Sequence, residues 1–271
     1  MTLPLLQVDA FAGALFAGNP AAVCLCFDDL PSEEQFQEIA AEMNLSETAF
    51  VLDRPAAGAF DLYWFTPAQE VDLCGHATLA AAHALWEEGH AAADAAITFH
   101  TRSGALAAQR APGEGATVWL DFPAEPVEAC DAPPALAEAL GAAPRFTGRN
   151  RMDLLALLES AEAVRRLTPD FALLREIGAR GVIATARAAE GAEHDFVSRF
   201  FGPRAGVNED PVTGSAHCAL APFWAERLGR ARLAGRQVSA RGGTVRCEAS
   251  DSGRVALGGS AVTVLRGELV L

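Results

Sequence analysis

Two segments of the chain set a glycine at the start of an apolar helical run and surround it with reactive side chains: Cys74-Gly75-His76-Ala77, and Thr213-Gly214-Ser215-Ala216 preceded by Asp210-Pro211. A helix start presents unpaired N–H groups and the positive end of the helix dipole. Two such starts lining one site would hold an anion such as a carboxylate without any lysine or arginine. The plainer role for each glycine is to allow a tight loop before a helix. His76 falls in the first turn of its helix, where the dipole favours the neutral ring, able to orient a substrate or carry a proton. Thr213 and Ser215 either cap the second helix by accepting N–H bonds or touch a ligand. Asp210 is either a loop carboxylate or a substrate contact. Glu47, in NLSETAFV at the start of a strand, is either a solvated strand end or an acid/base.

His83 and His90 follow His76 at seven-residue intervals, a spacing that invites a metal assignment. Seven residues span about two helical turns, roughly 10 Å, whereas ligand atoms stand about 2 Å from a shared ion. No metal is expected from this series.

Composition narrows the chemistry further. All 21 basic residues among the 271 are arginine. Without lysine there is no Schiff-base nucleophile and no P-loop lysine, which leaves carboxylates, histidines and cysteines. The formal net charge of -14 is scattered in short clusters, and it argues against nucleic acid or an anionic membrane surface as partner. Small molecules are the expected partners. The six cysteines, 24, 26, 74, 130, 218 and 247, form no C-x-x-C pair, and MTLPLLQVDAF lacks a signal-peptide pattern, so free thiols and a cytoplasmic location are expected. The uncharged stretch from Leu73 to Trp86 is too short and too polar to span a bilayer.

The elements that must position these residues are legible in outline. LPLLQVDAF and AAVCLCF read as strands joined by a glycine-rich loop. Ser32 with Gln35 three residues on has capping-box spacing, and the helix it opens should end near Asn44. TAFVLD and FDLYWFTP read as strands. HATLAAAHALWEEG is small and apolar around most of its circumference, as a helix buried on nearly all sides must be. Two more strands, ITFHTRSGALAAQRA and ATVWLDFP, flank Pro112-Gly113-Glu114-Gly115.

The second half repeats this order. FVSRFFGP mirrors FDLYWFTP, with Pro203 136 positions after Pro67. From Glu70 the offset is 139 and runs ungapped for over thirty residues, pairing Glu70 with Glu209, Gly75 with Gly214, Arg102 with Arg241 and Gly104 with Gly243. This reads as a duplicated fold. The expectation is an α+β chain of two similar domains, 1–125 and 126–271, each a sheet curled around its central helix. If a pseudo-twofold axis relates the copies, the two helix starts would face one cleft. The counterpart of Glu47 falls near Gly181-Val182, where there is no carboxylate.

Together, DAFAGALFAGNPAAV, NLSETAFV, FTPAQEVDLCGHATLAAAHAL and FFGPRAGVNEDPVTGSAHCAL resemble the signature segments of the PhzF-like isomerase family of phenazine biosynthesis, in order and over nearly the whole chain. The resemblance implies the diaminopimelate-epimerase-like fold, a homodimer, and isomerisation of a dihydro-hydroxyanthranilate or similar small carboxylate without cofactor or metal. It implies that Glu47 is the general acid/base, assisted by His76, Asp210 and Ser215, with Asn19, Cys74, Gly75, Thr213 and Gly214 contacting substrate. Such a carboxylate must hold its proton near neutral pH, which requires burial. Racemases of this fold use one cysteine from each half. Cys74 resembles the first, but the offset sets Thr213 opposite it, and a threonine supplies no thiolate. A racemase or epimerase using Cys74 with Glu47, and a non-catalytic binder of small molecules, are the alternatives.

Overall fold

A computed structural model of the chain describes residues 2–27, 30–56, 58–110 and 117–271; the expected turn at 112–115 lies outside the described residues. The chain divides into two compact units, Met1–Asp121 with Gly258–Leu271, and Phe122–Leu257. This departs from the expected division at 125/126. The C-terminal segment returns to the first unit because its strand is the antiparallel partner of the N-terminal one, from Thr2↔Val270 to Ala10↔Ala261.

The first unit contains β1 (Thr2–Ala10), β2 (Asn19–Leu25), α1 (Glu33–Met43), β3 (Glu47–Asp53), β4 (Ala59–Phe65), β5 (Glu70–Val71), α2 (Gly75–Glu87), β6 (Ile97–Thr101) and β7 (Gly104–Arg110). β8 (Val118–Pro123) leaves it. The second unit runs through β9 (Glu128–Ala129), α3 (Leu136–Leu140), β10 (Phe146–Arg149), β11 (Leu154–Leu157), α4 (Ala161–Arg165), α5 (Phe171–Glu176), β12 (Val182–Arg187), β13 (Phe196–Gly202), β14 (Val207–Asp210), α6 (Gly214–Leu228), β15 (Arg232–Gln237) and β16 (Gly243–Ala249). β17 (Arg254–Gly259) then leads back to the first unit and to β18 (Ala261–Val270).

The strand pairings repeat. In the first unit β1–β2 is antiparallel, β2–β3 parallel, β3–β4 antiparallel, β4–β6 parallel and β6–β7 antiparallel. In the second unit β10–β11, β11–β12, β12–β13, β13–β15 and β15–β16 follow the same alternation. The ungapped offset of 139, however, does not survive. β6 and β7 close at Thr101↔Gly104, but β15 and β16 close at Gln237↔Gly243. Gly243 lies 139 after Gly104, whereas Gln237 lies 136 after Thr101 (237 − 101), so three extra residues sit in the second turn.

Each unit wraps its sheet around one central helix. In α2 every residue from His76 to Trp86 is buried, and the helix packs on β1, β2, β3 and β18. In α6 the buried set runs from Gly214 through Trp224 with few gaps, and β15 and β16 lie against it. Helices made of Ala, Leu and Cys on all sides gain nothing from a solvated face, so full enclosure is their stable placement. The remaining helices form an outer layer. α1 starts at the expected capping box, Ser32 with Gln35, and stops at Asn44 in the left-handed region. Its Phe36 stacks on Phe50 of β3 with ring centroids 4.2 Å apart. In the second unit Leu140, Val164 and Leu174 from α3, α4 and α5 share a core with Leu154, Val182 and Phe201 of the sheet.

Two predictions follow from these central helices. Leu79 is fully buried in α2, and Leu79→Ala should cost about 2–5 kcal/mol in denaturant unfolding; a change below about 1 kcal/mol would contradict the enclosure described. The second concerns acid. Burial lowers the pKa of His76 to about 3 and that of His217 to about 4, so both rings stay neutral in the fold while the unfolded chain protonates them below about 6.5. The unfolded state therefore binds more protons, and stability falls as pH drops through that window, by about 1.4 kcal/mol per pH unit for each ring. His217→Asn should flatten the decline between pH 6 and 5 by about that amount, and an unchanged slope in urea melts would refute the assignment.

Candidate active site

In the first unit three of the singled-out side chains meet. Glu47 opens β3 opposite Ala21 of β2, and its Oε2 lies 3.3 Å from His76 Nε2. His76 is the second residue of α2, and its Nδ1 lies 3.4 Å from Cys74 Sγ. Cys74 and His76 are buried, while 20% of the Glu47 side chain remains exposed. The ring is neutral, held there by desolvation, so the approach to Glu47 is not an ion pair. Nor does it meet hydrogen-bond alignment, since Nε2 is a buried nitrogen with no hydrogen-bond partner among the described residues. A neutral imidazole carries one N–H and one lone pair. Each ring nitrogen thus faces a group with a proton to give or take, Glu47 on one side and Cys74 on the other.

The local sequence explains why these groups converge. β2 and β3 are parallel neighbours, so Asn19 at the start of β2 and Glu47 at the start of β3 emerge at the same end of the sheet, and α2 begins there too. Asn19 is buried and pairs with Ala10 of β1. The loop before it turns sharply, with Phe11, Phe16 and Gly18 at positive φ. The carboxylate of Asp9 accepts the Phe16 N–H at 2.8 Å, and a Cβ on Gly18 would collide with the Ala10 carbonyl oxygen, so only glycine fits there.

The equivalent loop of the second unit holds a different set. Asp210 Oδ2 accepts the Thr213 hydroxyl at 2.5 Å. Buried Gln237 ties the loop together: its Nε2 donates to the Asp210 carbonyl at 2.7 Å, and its Oε1 accepts the Thr213 N–H at 2.9 Å. Ser215 Oγ accepts from Arg180 Nη2 at 2.9 Å, and Arg180 in turn grips fully buried Asp153 through Nε at 2.9 Å and Nη2 at 2.5 Å. Neither hydroxyl caps the helix as one sequence reading allowed. Thr213 occupies the N-cap without a side-chain cap bond; its hydroxyl donates to Asp210 and its oxygen accepts from Gln237 Nε2 at 3.2 Å.

Asn19, Glu47, Cys74, Gly75 and His76 thus belong to the first unit, and Asp210, Thr213, Gly214 and Ser215 to the second. Sequence reasoning missed Gln237, Asp153 and Arg180. Gln237 ends β15 and Asp153 immediately precedes β11, and it is their burial, which the sequence does not display, that marks them. His83 and His90 are spent elsewhere: His83 lies 3.2 Å from Glu87 and 3.1 Å from Thr263, and His90 packs edge-on against Phe27. Glu70 and Glu209, paired by the repeat, each hold an arginine, Arg102 at 2.5 Å and Arg199 at 2.7 Å.

The two central helices differ at their starts from α1, α4 and α5, though not from the short α3, whose N-cap is Ala135. Ser32, Ser160 and Asp170 cap α1, α4 and α5 through side-chain oxygens. The N-cap residues of α2 and α6, Cys74 and Thr213, make no such bond. The N–H groups of their first turns are therefore not occupied by a cap from their own N-cap side chain.

Comparison with known proteins bears on the fold and the family. The family model described as phenazine biosynthesis-like protein, PhzC-PhzF, matches residues 8–267. An uncharacterized isomerase of Halalkalibacterium halodurans is 48% identical, with all of both chains covered. A human phenazine biosynthesis-like domain-containing protein is 38% identical, with 99% of each chain covered. Among solved structures, a PhzF-family protein of Enterococcus faecalis superposes with a TM-score of 0.93 at 41% identity over 100% of both chains. A hydroxyproline epimerase from Agrobacterium vitis shares the fold alone, with a TM-score of 0.63 at 14% identity over 100% of this chain and 93% of that one. With a repeated sheet-and-helix unit of the diaminopimelate-epimerase type and a family match over nearly its full length, the chain belongs to the phenazine biosynthesis-like PhzC-PhzF family.

Proposed function

We propose that the protein is a cofactor-independent isomerase that moves a proton within a small carboxylate-bearing metabolite, with Glu47 as the shuttling acid/base. The observation that carries this reading is the 3.3 Å approach of the Glu47 carboxyl to a buried, neutral His76. A carboxylate that takes a proton from an activated carbon must give it back to another carbon of the same substrate. For that, the neighbouring group must not compete for the proton, and a ring whose pKa is lowered to about 3 does not. His76 then serves to position Glu47 and substrate. The uncapped start of α2, one residue from His76, offers N–H donors and a positive dipole end to the substrate carboxylate. The relative from H. halodurans, named an isomerase, supports the reaction class, and trans-2,3-dihydro-3-hydroxyanthranilate is the first substrate to try.

A second reading, racemisation or epimerisation by Cys74 with Glu47, is favoured by the 3.4 Å contact between Cys74 Sγ and His76 Nδ1. Against a two-thiol mechanism stands Thr213, whose hydroxyl is donated to Asp210.

Glu47→Gln should lower turnover by about 100- to 10,000-fold, the usual range for losing a general acid/base, and should abolish deuterium uptake at carbon when dihydro-hydroxyanthranilate and related unsaturated carboxylates are incubated in D₂O and followed by NMR. Retained exchange in that variant would sink the assignment. Cys74→Ser separates the two readings: a rate within about threefold of the parent fits a carboxylate shuttle, and complete loss of exchange fits a thiol base.

A further inference from the structure

The groups that serve proton transfer in the first unit also form a set of metal donors. A carboxylate oxygen of Glu47, the Cys74 sulfur and a ring nitrogen of His76 all lie within 4.8 Å of one another. Oxygen, sulfur and imidazole nitrogen are the three donor types that zinc-class ions accept together, at bond lengths of about 2.0–2.3 Å, with a fourth position left to water. Donors around a tetrahedral ion of that size stand about 3.3–3.7 Å apart. The 3.3 Å contact between Glu47 Oε2 and His76 Nε2 already meets this spacing; the Cys74 sulfur lies 3.4 Å from the other ring nitrogen, Nδ1, and a turn of the thiol within the 4.8 Å cluster brings it to the Nε2 side. A second observation points the same way: His76 is 5% exposed, and its Nε2 has no hydrogen-bond partner among the described residues. A buried ring nitrogen left so is a costly arrangement, and an ion beside it would remove that cost.

We propose that Glu47, Cys74 and His76 bind a thiophilic divalent cation of the zinc class, and that the bound ion blocks the acid/base. Binding forms a sulfur–metal bond and breaks the Cys74 S–H bond, the proton leaving to buffer. The thiolate and the carboxylate then balance the charge of the dication, and no electron transfer is involved. Hard ions such as Mg²⁺ prefer all-oxygen, octahedral surroundings and do not compete at such a site. The inhibitory half of this inference rests on the reading of Glu47 as the acid/base, and the binding half does not.

The test therefore reads binding apart from turnover. The purified protein is titrated with Cd²⁺, which reports thiolate ligation through a sulfur-to-metal charge-transfer band, and in parallel its cysteines are alkylated with and without Zn²⁺ or Mg²⁺ and located by peptide mass spectrometry. The expected result is one equivalent of Cd²⁺ bound, a band absent from Cys74→Ser, affinity at least tenfold weaker in Glu47→Gln, and alkylation of Cys74 slowed at least tenfold by Zn²⁺ but not by Mg²⁺. A band that persists in Cys74→Ser, or Cys74 alkylation indifferent to Zn²⁺, overturns the inference; the alkylation arm uses the unaltered protein and does not depend on a variant folding. If Zn²⁺ protects Cys74 while deuterium exchange continues at full rate, the site stands and the reading of Glu47 as the acid/base fails. If exchange depends on Glu47 but no ion binds, the reverse holds.

Discussion

A helix that is apolar around its whole circumference has no face to give to water, and this constraint organises the rest of the protein. α2 and α6 can be stable only where strands cover them, and each unit curls its sheet to do so. Enclosure by sheet leaves open only the helix ends. At the start of α2 the chain arrives through Cys74 and at the start of α6 through Thr213, neither of which caps its helix. Three of the outer helices, α1, α4 and α5, are capped by serine or aspartate in the ordinary way. Where a fold needs its helices buried, polar starts become the natural place for chemistry, because they are the one part of the helix whose donors are not already used.

The duplicated scaffold carries two unlike polar clusters. In the first unit an acid, a neutral imidazole and a thiol sit side by side, each able to hold or release a proton. In the second, Asp153, Arg180 and Ser215 are joined in one chain of hydrogen bonds, while Asp210, Thr213 and Gln237 are joined in another. Buried polar groups are stable when every member is satisfied, and these two networks of the second unit follow that rule, although Ser198 Oγ and His217 Nε2 elsewhere in the unit have no hydrogen-bond partner among the described residues. In the first unit's cluster the departure falls at His76 Nε2. Such departures are expected where function, rather than stability, selects the side chain.

Desolvation decides which groups near the α2 start are charged. His76 lies in the first turn of α2, where the helix dipole alone would lower its pKa modestly, but burial lowers it further, to about 3. The thiols of Cys24 and Cys247 are pushed up by the same effect, and that of Cys218 to about 12. These cysteines therefore behave as small apolar side chains that fill the core.

Much of this was legible in the chain itself. The capping box at Ser32 and Gln35, the strands, the fully apolar helices and the repeat all follow from spacing of side chains along the sequence, which local backbone physics translates directly into elements. The candidate residues Glu47, Cys74 and His76 could be named from their types and from the signature segments around them. Sequence could not show that Glu47 and Cys74 stand on either side of one imidazole ring, because 27 positions separate the first from the second (74 − 47) and only the parallel pairing of β2 with β3, with α2 behind them, closes that distance. Nor could it show that the C-terminal strand belongs with the first unit, that three extra residues break the repeat in the β15–β16 turn, or that Arg180 and Gln237 hold the second unit's loop. Side-chain periodicity is a property of neighbours along the chain. Pairing between distant strands, and the burial that makes His76 neutral, are properties of the packed whole, so they were decided only there.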